Sequence, residues 1–208
     1  MKKSESANMD DLNSFSIDDI RQCLKKESSI TYDIPGSFKQ SDCRQAAVLI
    51  PFVEINNEWH LLFIRRSEHE LDHHSGQVAF AGGKYEPDDD NLQFTALREA
   101  QEEIGLSPVD VTVLGQLKEH HSISRFSITP VVAHIPWPYK FKLDHAEVAR
   151  VFTIPLSWLT DTSNYRIEQR KIADHKPVPV AFFERYDGEQ LWGASARMTL
   201  SLLELLKP

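Results

Sequence analysis

The sequence predicts a layered α/β fold built on a mixed β-sheet. Three observations predict it: a strand-turn-strand pattern over residues 45–65, an amphipathic helical run over Leu92–Ile104 between strand-like segments, and a second apolar helical run over residues 194–206. A chain of 208 residues buries a sizeable core and fits one catalytic unit with terminal additions better than two full domains. The expected division is a mobile arm over residues 1–15, a helix and connection over residues 16–44, and the functional domain over residues 45–208.

The arm carries Ser, Asn, Asp and Lys with little to bury. Ser16 ahead of Asp18 and Asp19, with Ile17, Ile20 and Leu24 at helical spacing, marks a short helix to about Lys26, and Pro35-Gly36 marks a turn. The apolar run up to Ile55 is strand-like, and Asn56-Asn57 supplies the two-residue turn into a second strand over 59–65. A short strand over 77–80 is ended by Gly82-Gly83, and an acidic loop over 86–90 leads into the helix that Gly105 caps. Residues 111–117 and 128–135 read as strands joined by a loop rich in His and Ser. A short helical stretch is expected around Glu147 and Val148 before the strand-like run at Phe152, then strands over 165–168 and 178–184, and finally the C-terminal helix.

The composition, 41% hydrophobic and 26% charged, is that of a water-soluble globular chain. A net charge of -8 argues against coating nucleic acid with a basic face, so no nucleic-acid partner is expected. Cys23 and Cys43 are too few for a disulfide framework or a zinc site. With no signal-like start and no stretch of transmembrane length, the expected compartment is cytoplasmic and no membrane partner is expected.

At about 100° per residue, Glu99, Glu102 and Glu103 fall within an arc of roughly 100°, with Leu97, Ala100 and Ile104 on the other side. Such a helix packs on a sheet while presenting three carboxylates together. Hard oxygen donors suit Mg²⁺ or Mn²⁺, shared between carboxylates and substrate phosphates, although a solvated acidic face has the same spacing. Arg98 can hold a neighbouring carboxylate by charge-assisted hydrogen bonds.

The string Gly82-Gly83, an acidic loop, then Arg98-Glu99-Ala100-Gln101-Glu102-Glu103-Ile104-Gly105-Leu106 resembles the signature box of the Nudix hydrolases. That pattern is Gly, five residues, Glu, seven residues, Arg-Glu, an aliphatic residue, any residue, Glu-Glu, any residue, Gly and an aliphatic residue. The second half matches in order, with Ala100 in the first aliphatic slot. The loop before it is one residue longer: counting forward from Gly83 reaches Asp89 and counting back from Arg98 reaches Asp90. One of Glu86, Asp88, Asp89 or Asp90 therefore replaces the first family Glu. The resemblance implies a Nudix-like α/β/α sandwich with a mixed sheet. It implies Glu102 and Glu103 as metal ligands, Glu99 as a further ligand or as a base toward water, Gly83 as a ligand through its carbonyl, and Arg98 as the residue orienting Glu99. Glu147 is a second candidate base, with an ordinary surface Glu as the alternative. A homodimer is implied only by the habit of many relatives.

Leu61-Leu62, Arg66-Ser67, Leu71, the run from Gly76 to Gly83, Thr129-Pro130-Val131-Val132 and Trp192-Gly193 are similar to the coenzyme A pyrophosphatase branch of that family. Asp72 stands where the branch has Arg, Ala81 where it has Pro, and the spacing from Ser67 to Gly76 is one residue longer. The implied activity is metal-dependent hydrolysis of a diphosphate linkage in a small nucleotide derivative, coenzyme A first, giving phosphopantetheine and adenosine 3',5'-bisphosphate. The alternatives are ADP-ribose, NADH, nucleotide sugars or dinucleoside polyphosphates as substrates, and a catalytically silent nucleotide-binding regulatory module. Arg65 and Arg66 could grip phosphate or be a solvated strand edge, and Lys84 lies beside the glycines. Phe80 and Trp192 could stack on a base or pack internally. His120 and His121 could touch substrate or shuttle a proton, or belong to an exposed loop.

Overall fold

The computed structural model describes residues 13–26, 43–68, 75–122, 124–171 and 177–207. The alternation over residues 45–65 becomes a hairpin of β1 (Arg44–Ile55) and β2 (Glu58–Arg66). Asn56 and Asn57 sit at φ 51° and 63°, the left-handed backbone that a two-residue turn between twisted strands requires. β1 is central: β7 (Phe126–His134) pairs with it in parallel on one side, β4 (Gly82–Lys84) antiparallel on the other. β2 also pairs with β3 (Val78–Ala79) and β8 (Val148–Pro155), while β7 takes β5 (Thr112–Gln116) and β6 (His120–His121). The result is a mixed eight-stranded sheet.

Both faces of this sheet are covered, which is why β1, β2 and β7 are nearly continuous apolar runs. On one face, α2 (Leu92–Ile104) buries Ala96, Ala100 and Ile104 with Ala47, Leu49, Leu62 and Val131. On the other lie α1 (Ile17–Cys23), α3 (Leu156–Thr160), α4 (Gly193–Leu205) and a three-stranded sheet of β9 (Tyr165–Arg170), β10 (Val178–Tyr186) and β11 (Glu189–Trp192). Their Ile20, Leu159, Phe183, Leu191 and Leu202 share a cluster with Ile50, Phe52 and Phe63. The expected α/β/α layering is present, with a small sheet added to one outer layer. Among the described residues no helix is long and apolar enough to cross a membrane.

Several expectations change in detail. The last residues of the supposed arm are docked: the Trp59 backbone N–H donates to Asn13 and its indole N–H to the Phe15 carbonyl. Residues 1–12 and the expected Pro35-Gly36 turn lie outside the described residues. Ser16 caps α1 with a reciprocal bond from Asp19, as its position suggested. Gly82 and Gly83 do not end a strand but form one, because their backbone pairs with Ala47 and Val48. The helix expected around Glu147 is a single turn, in which the Asp144 carbonyl accepts from Glu147 and Val148. Pairing with β2 then draws the chain out as β8. The His-rich loop contains β6, and His120 is buried at 8% exposure rather than solvated.

Candidate active site

The sequence of α2 fixes its ends. The Asn91 side chain accepts the Phe94 N–H at 2.9 Å, and Gly105 closes the helix at φ 68°. Between these caps the small side chains of Ala96 and Ala100 let the helix lie close to the sheet. β4 passes so near that a Cβ at Gly83 would stand 2.4 Å from the Glu99 carboxylate. A side chain there would displace that carboxylate. One residue earlier, the Gly82 N–H donates to the Glu103 carboxylate at 3.0 Å.

The three glutamates of the helix do not share one environment, which corrects the simple convergence that the helical wheel suggested. Glu103 points inward and is 3% exposed. Burial pushes its carboxyl up to about 8, against the Gly82 N–H, and the charges of Glu99 and Glu147 add to the rise. Glu99 is partly covered; burial raises it too, with Arg98 opposing and Glu102 and Glu147 reinforcing. Glu102 faces water, its side chain 58% exposed.

Arg98 ties the group together. Its guanidinium donates to Asp89 at 2.9 and 3.1 Å, to Glu102 at 3.0 Å and to the Lys84 carbonyl at 3.0 Å, and lies 3.0 Å from Glu99. Asp89 is the strongest partner: it is 4% exposed, also accepts from Thr95 and from the Glu86 N–H, and the hydrogen bonds from Arg98 hold its carboxyl down to about 2. Of the four loop acids, Asp89, the position reached by counting forward from Gly83, is the buried one and the one bonded to Arg98. The extra loop residue lies between Asp89 and the helix. A forked pair to a buried carboxylate fixes the guanidinium's plane, which in turn orients Glu99 and Glu102.

The other candidates divide. Glu147 sits on the exposed turn before β8, and its charge is felt by both Glu99 and Glu103. Arg66 lies near enough to Glu103 to oppose the rise in its pKa. Arg65 faces the other way, bonded to Glu68 at 2.8 Å and 3.6 Å from the buried Glu189. Lys84 is exposed beside Gly83. Phe80 is 3% exposed and stacked on Phe63 at 4.7 Å, inside the core. Trp192 is stacked on Phe182 in the small sheet, with one edge in water. Asp72, with the rest of residues 69–74, lies outside the described residues.

Among the described residues no three His, Cys, Asp or Glu side chains already stand in ligating geometry, and Arg98 is paired with Glu99 and Glu102. The donor chemistry nevertheless fits a hard divalent cation. It is all oxygen, and besides burial the neighbouring charges of Glu102 and Glu147 raise Glu99 while those of Glu99 and Glu147 raise Glu103, a repulsion that a cation would relieve. Gly83 adds a cradle for the Glu99 carboxylate that any Cβ would fill.

A glycine-edged strand laid against a carboxylate-bearing helix, locked by an Arg–Asp pair, defines the class, and comparison with known proteins agrees. The family model described as the NUDIX domain matches residues 44–176. A protein of Yersinia enterocolitica named as an uncharacterized Nudix hydrolase, NudL, is 40% identical over 172 residues, covering 82% of this chain and 85% of that one. One of the same name from Yersinia pestis is 39% identical over 163 residues, covering 77% and 79%. Among solved structures, a MutT/nudix family protein from Enterococcus faecalis superposes with TM-score 0.49 at 12% identity, covering 97% of this chain and 73% of that one. The chain belongs to the Nudix family and is a Nudix hydrolase.

Proposed function

We propose that the protein hydrolyses the diphosphate linkage of a nucleotide derivative, coenzyme A first, with Mg²⁺ or Mn²⁺ held by Glu99, Glu102, Glu103 and the Gly83 carbonyl. The observation that carries the reading is the Arg98–Asp89 pair, which fixes the carboxylate helix against the glycine strand. When bound, the metal neutralises the diphosphate and makes water a better nucleophile at neutral pH. The chain supplies the rest. Arg98, locked by Asp89, holds Glu99 and Glu102 in place. Glu99 is the first choice to take the proton from the attacking water, because burial favours its protonated form, and Glu147 is the second. Arg66, whose charge is felt by Glu103, and Lys84, beside Gly83, are the cations proposed to meet a phosphate; Arg65 is bonded to Glu68 and lies 3.6 Å from Glu189.

The preference for coenzyme A rests on the branch-like residues from Gly76 to Gly83 and Arg66-Ser67, and the departures at Asp72 and Ala81 keep other diphosphates in play. The test is a panel of coenzyme A, acyl-coenzyme A, ADP-ribose, NADH and diadenosine polyphosphates with Mg²⁺ or Mn²⁺, products identified by mass. Release of phosphopantetheine and adenosine 3',5'-bisphosphate faster than any other product pair is the expected result. Faster cleavage of ADP-ribose or NADH would replace the substrate and keep the chemistry. No hydrolysis of any compound would favour a nucleotide-binding module.

A further inference from the structure

We infer that Asp144 and Ser67 are positioning residues, which hold the turn carrying Glu147 between the C-terminal end of α2 and the end of β2. The inference rests on reading Glu147 as a member of the site.

The last carbonyls of any helix lack partners within it. In α2 those of Ile104 and Glu103 are taken by the segment that returns from β7: the Lys142 N–H donates to Ile104 at 3.0 Å and the Asp144 N–H to Glu103 at 2.9 Å. Asp144 is therefore attached to the backbone of the same residue whose side chain the site uses. It also folds the next turn of the chain. Its carboxylate accepts the Ala146 N–H at 2.9 Å, and its carbonyl accepts Glu147 and Val148 at 2.9 and 2.7 Å. From the opposite flank, the Ser67 N–H donates to the Glu147 carbonyl at 2.8 Å and its hydroxyl to the His145 carbonyl at 3.0 Å.

Hydrogen bonds, rather than packing, fix this turn. Asp144, His145, Ala146 and Glu147 are all exposed, so no apolar burial anchors them. Val148, the first buried residue after them, begins the strand. An exposed Glu meets a partly buried carboxylate cluster reproducibly only if its backbone is pinned, and these bonds pin it from both sides. A misplacement of about 1 Å at a reacting group costs on the order of a hundredfold in rate. Asp144 and Ser67 act through Glu147 and need touch neither substrate nor metal.

The test combines kinetics with amide exchange, using the full chain and whichever compound of the panel is turned over fastest. Glu147→Gln sets the baseline. Asp144→Ala is expected to lower kcat by about ten- to a hundredfold with KM within about threefold, and to add nothing further in the Glu147→Gln background. Asp144→Asn keeps the acceptor oxygen without the charge and should restore kcat to within about threefold of the parent. Ser67→Ala, which leaves the backbone bond, should give a smaller loss that also vanishes in the Glu147→Gln background. In the metal-free protein, amides 145–148 should exchange faster in Asp144→Ala while those of Ala96 and Ala100 keep their protection. Full activity of Asp144→Ala, losses that add to that of Glu147→Gln, or a loss in Asp144→Asn equal to that in Asp144→Ala would overturn the inference. If Glu147→Gln itself retained full turnover, the reading of Glu147 would fail first, and the positioning role with it.

Discussion

Arg98 reaches Asp89, Glu99, Glu102 and the Lys84 carbonyl, and no other cation can do this from one position, because the guanidinium is planar and forked. Arg98→Lys should keep the charge and lose the geometry. A fall in turnover of about ten- to a hundredfold is the outcome expected in steady-state assays, with a lower thermal midpoint as well, because buried Asp89 loses its forked partner. Gly83→Ala should be worse, since its methyl would enter the space of the Glu99 carboxylate. Glu102→Gln and Glu103→Gln should each remove most metal-dependent turnover; near-full activity in both would end the metal assignment. At this scale the sequence showed the helix glutamates, Arg98 and both glycines by resemblance to a spaced pattern. It left Asp89 open because four acids fill a loop with one residue too many, and only the folded chain distinguishes them, by burial and by the bonds from Arg98. Counting from the glycine reaches the acid that Arg98 binds.

Among elements, α2 was readable to its ends because each end carries chemistry of its own: an Asn that caps and a Gly that turns left-handed. Asn91→Ala should lower stability by about 1 kcal/mol in urea unfolding. Gly105→Ala should cost more, because the left-handed backbone is strained for alanine and its Cβ would stand 2.8 Å from the Lys142 backbone. The hairpin of β1 and β2, the strands β5, β7, β9 and β10, and α4 were also legible, since each is long enough to display its own period. β4, β6 and β11 were not: they run for two to four residues and become strands only because a longer strand lies beside them. The stretch around Glu147 read as helical from Asp, Ala and Glu, yet that helix stops after the single turn at Asp144, and β2 claims the chain from Val148 onward.

For the molecule as a whole, the sheet separates two apolar clusters, and buried polar groups contribute to its response to acid. Burial, with the charges of Arg197 and His121, pushes His120 down to about 3 from 6.5. The unfolded chain therefore takes up this proton first, so the stabilisation is complete above pH 6.5 and is lost as the pH falls toward 3. Asp89 acts in a lower window, losing its contribution between 3.8 and about 2. Urea midpoints should thus fall more steeply below pH 6.5 in the parent than in His120→Gln, while Glu103, pushed up to about 8, acts in the opposite sense in both, adding stability as the pH falls toward 4.5. An equally steep decline in the variant would assign it to other groups.

α1 shares its cluster with α4: Ile20 and Cys23 belong to the same cluster as Leu202, Leu205 and Leu206, and the Lys26 ammonium reaches the Lys207 carbonyl. The apolar side of α1 is therefore completed only when α4, far along in sequence, has folded against the same cluster. Stalled nascent chains that still hide α4 in the exit tunnel should be open to protease near Ile20, and release should close that site.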